Sequence, residues 1–585
     1  MRIDAPGIVQ AAAGKGPRHR QAPREGIHLK EDGMAETKIT RRAFVGGSLA
    51  ASALAALAAC GQKKAATTGS GSAAADNPTA TGNTLVFYIN DPVAIDPYNL
   101  QESEGTQVGH ILFDSLVDWD FEKNEWAYAA AESHTVSEDG LTYTFTLKDA
   151  TFHNGDKVDA ASFKRGWERL LDSKMKTPGE IGYHLAPVAG YQDMVDGKAT
   201  ELSGVKAVDE KTLEVTLSAP MGDFMAVLCH PGLAPVPKAA VDDPDSFLLA
   251  PIGNGPFKMD GKWESGQYID VVKFDDYYGD APKIDGVHFS IQKDPDTAFR
   301  EFEAGNIDFC QIPTGRLKEN AKKYGEAEDG YTVTPKHQAL FGSEMSTYYL
   351  ACNLKDETIA NKDLRHAISL AINRQNIVDT LFEGKRTPAT CIFPPLIDSD
   401  PSNDWKYCPA KPDVEQAKKI IADAGLEGTE VTLNYNSGGG HEDIMSIVQS
   451  DLEAVGLKVT QSAQEWAAYL DGLTNGNFQL GRMGWIADYP TMDNFIYPNF
   501  FSTADNNYSK YNNPDLDAAI KEARQIQDET ERKAKYREIN QMAGEDLPII
   551  PIMWYSHVHI GSERVKTLFY DPQGKADLDK AELNA

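Results

Sequence analysis

Gly481-Arg482-Met483-Gly484-Trp485-Ile486-Ala487-Asp488-Tyr489-Pro490 puts a guanidinium, an indole and a carboxylate in one short span, with glycines that admit a ligand backbone. If the span is extended, Arg482, Gly484, Ile486 and Asp488 share a face, because strand side chains alternate with period two. One face then carries a positive charge at one end and a negative charge at the other. That polarity suits a zwitterion, such as a short peptide with free ends. An ordinary strand and turn with a surface ion pair is the alternative, and the motif alone does not decide. Trp485 is equally compatible with core packing and with pocket lining.

Other chemistry is poorly represented. The chain has no Gly-x-Ser-x-Gly elbow and no His-Glu-x-x-His zinc helix, so no hydrolase motif is present and an enzyme is not expected. His557-Val558-His559 sets two imidazoles on one strand face without a third ligand, which reads as a packed strand. No Cys-x-x-Cys or Cys/His cluster points to a metal, and no cofactor is expected. Six cysteines are present; Cys391 and Cys408 bracket a Pro-rich loop and form the candidate disulfide pair. Cys229, Cys310 and Cys352 suit small buried hydrophobic positions.

The elements that must hold the motif belong to a large chain. At 585 residues, with 41% hydrophobic and 25% charged residues, two or three domains are expected. A formal charge of -30 argues against nucleic acid, whose phosphates demand a basic surface. Thr40-Arg41-Arg42-Ala43-Phe44-Val45 has the form of a twin-arginine export signal, followed by a mildly apolar run from Ala43 to Ala59. Leu57-Ala58-Ala59-Cys60-Gly61 has the form of a lipoprotein processing box, with Cys60 as the lipidated residue. Met34 is the more natural start. Residues 1–59 then form the signal region and 60–82, rich in Ala, Thr, Gly and Ser, a flexible tether.

Further on, Leu85 to Ile89 is a first strand, ended by Asn90-Asp91-Pro92. A helical pattern follows through Val108, Ile111, Leu112 and Leu116. Leu141 to Leu147 alternates like a half-buried strand, and a helix opens at Ala160 and runs through Trp167 and Leu170. Leu364 to Arg374 and Val414 to Ala424 are amphipathic helices, the second closed by Gly425. Asp515 to Ala543 reads as one long helix, followed by the apolar strand Ile549 to Trp554.

The Arg482-to-Tyr489 run closely resembles the Arg-x-Gly-Trp-x-Ala-Asp-Tyr segment of oligopeptide-binding proteins, the family 5 extracytoplasmic receptors of ABC importers. Ordered matches extend the resemblance from about Leu85 to Val565. They include Ala131-Glu132-Ser133, Asp139-Gly140-Leu141-Thr142-Tyr143-Thr144-Phe145, His230-Pro231, Pro251-Ile252-Gly253-Asn254-Gly255-Pro256-Phe257 and Glu303-Ala304-Gly305-Asn306-Ile307-Asp308.

The resemblance implies an α/β, two-lobed periplasmic-binding-protein-like fold with two crossover strands and an extra α+β domain inserted in lobe one. Lobe one would take 83–113, 239–345 and 556–585, the extra domain 114–238, and lobe two 346–555. It implies a monomeric, lipid-anchored receptor at the outer face of the cell membrane, delivering short peptides to ABC permease subunits. Asp488 would pair with the peptide's α-ammonium, buried on closure and unpaired without ligand. Arg482 and His441 would hold its carboxylate, with His441 otherwise reading as a solvated loop histidine. Gly484 and Ile486 would pair their backbone with the peptide, and Gln101 to Ser103 would face them from lobe one.

Two departures from the family pattern stand out. Phe382 occupies a place where such proteins often carry Lys, with Lys385 or Arg386 as the substitutes. Ile486 and Ser346 stand where some members carry a cysteine pair. Other small solutes, and a peptide sensor or chaperone without a transporter, remain the alternatives.

Overall fold

The computed structural model describes residues 82–175 and 179–584. Arg41-Arg42, Cys60 and the signal and tether up to residue 81 lie outside the described residues.

Strand Thr84–Ile89 is a β-branched and aromatic run, buried along nearly its whole length. It pairs in parallel with Gly286–Ile291 and, through Phe87, with Phe309–Gln311. Burial on both faces explains why it reads as a continuous apolar run. These strands centre a seven-stranded sheet with Ala339–Leu340 and His559–Gly561 on one side and Tyr268–Lys273 and Phe257–Met259 on the other. A six-stranded sheet runs in the order Thr387–Pro388, Ile549–Ser556, Ser343–Cys352, Leu480–Ile486, Glu430–Asn436 and Lys458–Gln464. The chain crosses between the two sheets twice, through Phe341-Gly342 and back through His557-Val558. This is a mixed α/β, two-lobed architecture.

A separate four-stranded antiparallel sheet joins Ala131–Val136, Thr142–Leu147, Thr212–Thr216 and Val205–Ala207. Its companion helix Ala160–Leu170 is opened by a reciprocal capping box between Asp159 and Ser162. One apolar cluster runs from Phe145 and Trp167 in this region to Trp485, Phe495 and Tyr536. The region that supplies this sheet therefore packs directly against the Trp485 segment.

Three details differ from the sequence reading. The expected helix 515–543 is two helices, Pro514–Gln525 and Glu529–Asp546. Ile526 is extended, and Asp528 starts the second helix by accepting from the Glu531 amide. The helix expected to reach Leu116 ends at Leu112, where Phe113 turns extended. Cys391 and Cys408 are not bonded: all five described cysteines are free and buried. Each of the two thiols points at a backbone carbonyl instead, Cys391 at Phe393 and Cys408 at Ala389 and Pro551.

The two crossings are pinned together. Glu344 Oε1 lies 2.9 Å from His557 Nδ1, and Ser346 Oγ donates to Glu344 Oε2 at 2.9 Å. The His557 amide also donates to the Gly342 carbonyl at 2.8 Å. Burial works to raise the Glu344 carboxyl, but the His557 hydrogen bond and the charges of His557, Arg386 and His559 outweigh it and lower it from 4.5 to about 2. A depressed carboxyl contributes stability that is complete above its unfolded value and vanishes as pH falls through the folded one. Glu344→Gln is therefore expected to lose about 3 kcal/mol at neutral pH. The difference from wild type should shrink between pH 4.5 and about 2. Urea unfolding at several pH values checks this, and a constant difference across that window contradicts it.

Candidate functional site

Strand Leu480–Ile486 pairs antiparallel with Ser343–Cys352 along its whole length, from Cys352 opposite Leu480 to Ser346 opposite Ile486. On its other edge, Glu430–Asn436 pairs only at Leu480 and Gly481. The Tyr469 hydroxyl takes up the Arg482 carbonyl at 2.6 Å. Beyond it, the edge of Met483 to Ile486 pairs with no other strand among the described residues. An unpaired edge is a template for an added extended chain. Gly484 and Ile486, expected to offer backbone groups, both lie on it.

Arg482 and Gly484 share a face, as alternation requires. Arg482 Nη2 donates to the Tyr555 hydroxyl at 3.2 Å, and a Cβ on Gly484 would stand 2.9 Å from that same oxygen. Gly484 is thus small because Tyr555 occupies the adjoining space. Arg482 also donates to Asn436 Oδ1 at 3.2 Å and lies over the Tyr348 ring.

A second guanidinium, Arg386, faces the other side of Tyr555. Its carbon sits 4.6 Å from the Tyr555 ring centre and 4.1 Å from that of Phe382. Phe382, the departure from the family pattern, is the shelf on which Arg386 rests. Lys385 is engaged elsewhere, with Glu326 at 2.8 Å. Both Arg386 Nε and Arg482 Nε are buried without a hydrogen-bond partner among the described residues. Burial, then the positive charges of Arg482 and Arg386, push the His441 imidazole well below its usual range. His441 is buried and stacks near Tyr348, so it is not a solvated loop residue. A buried guanidinium (Arg386), a half-buried one (Arg482) and a neutral imidazole, with no carboxylate within ion-pair distance of either arginine among the described residues, form a site for an anion, although the Glu344 carboxylate lies close enough to feel the Arg386 charge.

Asp488 lies two residues beyond the strand, at the opposite end. It was expected to be unpaired, and the structure corrects this: the Tyr183 hydroxyl donates to its Oδ2. Its amide donates to Asn494 Oδ1 at 2.9 Å, the atom that also accepts from Trp485 Nε1 at 2.9 Å. Trp485 is therefore a buried structural residue that fixes the turn carrying Asp488. His184 Nε2 and His230 Nε2 approach the Asp488 carboxylate at 3.9 and 3.8 Å. Both rings are buried, and burial lowers their pKa values, that of His230 strongly. The Asp488 side chain keeps 25% exposure and so remains reachable.

Gln101 and Ser103 flank Glu102, whose carboxylate caps helix Ser103–Leu112 and accepts from the Val93 amide. Neither forms a hydrogen bond with the Arg482–Asp488 run among the described residues. Arg386, Tyr555, Tyr183, His184 and His230 were not anticipated as parts of the site, apart from Arg386 as one of two substitute cations. Each comes from a segment far away in sequence, where only the fold reveals the neighbourhood. Among the described residues no group of His, Cys, Asp and Glu could hold a metal ion, and no helix is long and apolar enough to cross a membrane.

Comparison with known proteins bears on the fold and the family. The periplasmic oligopeptide-binding protein OppA of Escherichia coli is 29% identical over 559 residues, covering 93% of this chain and 98% of the relative. Among solved structures, the murein tripeptide binding protein MppA of E. coli superposes with a TM-score of 0.76 at 27% identity, covering 86% of this chain and 98% of that one. Haemophilus influenzae OppA in complex with RPPGFSPFR gives 0.74 at 26% identity, covering 86% and 99%. Residues 125–507 match the family described as bacterial extracellular solute-binding proteins, family 5 middle. A match over well more than half of the chain, carried by a two-lobed fold, shows that the chain belongs to family 5 of the bacterial extracellular solute-binding proteins.

Proposed function

We propose that this protein captures short peptides between its lobes and delivers them to an ABC importer, without chemistry of its own. The observation that carries the reading is the open strand edge from Met483 to Ile486, with Arg482 and Arg386, whose Nε atoms are buried and unpartnered among the described residues, at one end and Asp488 at the other. An extended peptide on that edge would satisfy the backbone groups. Its carboxylate would meet Arg482, Arg386 and His441, and its α-ammonium would meet Asp488. Relatives named for oligopeptide and murein tripeptide binding support the same class of ligand.

Export and anchoring belong to the same proposal. The twin-arginine segment and the box ending at Cys60 point to a lipoprotein held at the outer face of the cell membrane, acting as a monomer beside the permease. Cys60→Ala is expected to move the protein from the membrane to the soluble fraction. Unchanged membrane retention contradicts the lipid anchor.

Asp488→Ala would leave the ligand's ammonium buried and unpaired, and should cost about 3 kcal/mol, roughly a hundredfold in affinity. Arg482→Ala or Arg386→Ala alone should cost less, because each can cover for the other. The double variant should lose about as much as Asp488→Ala. N-acetylation of a binding peptide should reproduce the Asp488 defect, and C-terminal amidation the milder single-arginine defect. Isothermal titration with the three peptide forms checks this. Equal affinity of the acetylated and free peptides for the wild-type protein removes Asp488 as the anchor.

A further inference from the structure

The surroundings of Asp488 contain more acceptor capacity than a carboxylate alone. His184 Nδ1 lies 2.8 Å from the Ile181 carbonyl oxygen, which can only accept. The proton is therefore on Nδ1, and a neutral His184 presents a bare lone pair at Nε2. That nitrogen has no hydrogen-bond partner among the described residues and stands 3.9 Å from Asp488 Oδ2. His230 is set the opposite way. Its Nδ1 accepts from the Gly232 amide at 3.1 Å, so the neutral ring carries its proton on Nε2, which stands 3.8 Å from Asp488 Oδ1 and likewise has no hydrogen-bond partner among the described residues. The two imidazoles stack at 4.7 Å between ring centres, and each is almost completely buried.

The two rings therefore have different work. His230 holds an unused donor 3.8 Å from one carboxylate oxygen, too far for a hydrogen bond. His184 offers an acceptor beside the other oxygen, and two facing acceptors in a dry site are unfavourable unless a donor lies between them. The Tyr183 hydroxyl gives its one proton to Oδ2 and receives from Asn494 Nδ2 at 3.0 Å, so it has none left for His184. A group with several N–H donors and a positive charge answers both acceptors at once.

Resting on the peptide-binding reading above, we propose that His184 Nε2 is a second acceptor for the ligand's α-ammonium and makes the site selective for an unsubstituted amine. Asp488 supplies the charge, and His184 counts the N–H bonds. A tertiary ammonium keeps its charge and one N–H, satisfies Asp488, and leaves His184 unpaired. Burial holds the His184 imidazole below its usual range, with Asp488 opposing, so the lone pair is available at neutral pH. Reaching Nε2 requires the Tyr183 hydroxyl to yield part of Oδ2 to the ammonium.

The test is equilibrium dialysis of the full-length protein against a random mixture of two- to five-residue peptides. The mixture is offered with free, N,N-dimethylated and N-acetylated amino ends, and retained peptide is quantified by mass spectrometry. Wild-type protein is expected to prefer free over dimethylated peptides by about tenfold more than His184→Phe does, since a hydrogen bond to a charged donor is worth at least that factor. His184→Gln, whose side-chain oxygen can accept, should restore most of the preference. A lost preference in His184→Phe with unchanged thermal stability, recovered in His184→Gln, supports the assignment. Equal preference in wild type and both variants overturns it, while leaving Asp488 and the peptide reading intact. If wild type retains acetylated peptides as well as free ones, or retains none, the peptide reading itself fails. If His184→Phe does not fold, His184→Leu replaces it, and a free-to-dimethyl preference in His184→Leu equal to that of wild type overturns the proposal.

Discussion

The ten-residue strand Ser343–Cys352 is the constraint on which the rest of this molecule depends. It follows the first crossing between the sheets, and it pairs on one side with Ile549–Ser556, which precedes the second crossing. On its other side it pairs with Leu480–Ile486, and so sets the direction of the strand that carries Arg482. Tyr348 projects from it beneath the Arg482 guanidinium, and Glu344 at its start binds His557 on the returning chain. One strand thus fixes the passage between lobes, the cationic end of the cleft and the exposed edge beside it. All its residues beyond Ser343 are buried, so a one-residue slip would exchange two buried faces and disrupt the packing on both.

Electrostatics makes that geometry selective. Guanidinium groups withdrawn from water without a carboxylate in ion-pair contact are costly, and the structure offsets part of the cost with aromatic faces: Tyr348 for the half-buried Arg482, Phe382 and Tyr555 for the buried Arg386. Aromatic faces stabilise a cation without neutralising it, so the positive potential remains available to an incoming anion. At the far end, Asp488 is held by a hydroxyl and faced by two neutral imidazoles, none of which cancels its charge. The strand edge therefore has a cationic end and an anionic end, the polarity that the proposed zwitterionic ligand requires.

The sequence was most legible where function and local structure coincide. Arg482, Gly484, Trp485 and Asp488 fall within seven residues on one strand and its turn, and period-two alternation alone placed Arg482 and Gly484 on one face. The two lobes were legible only through the resemblance, because periodicity shows mixed elements and not their order in a sheet. Remote partners stayed hidden for a physical reason. Tyr183, His184, His230 and Tyr555 reach the site through tertiary packing, which no local pattern encodes, and Arg386 was visible only as one of two substitute cations. The break in the 514–546 helical region carries no Gly or Pro; its signal was Asp528 followed three residues later by Glu531, a capping pattern inside a charged run. Cys391 and Cys408 show the opposite error, since bracketing a loop says nothing about where two thiols point.

The most direct measurement is a crystal structure of the protein with a bound linear tripeptide. The account predicts peptide backbone paired with the open edge between Met483 and Ile486. Its amino end should lie at Asp488 and His184, and its carboxyl end toward Arg482 and Arg386. A peptide bound in the reverse direction, or held away from that edge, would contradict the account.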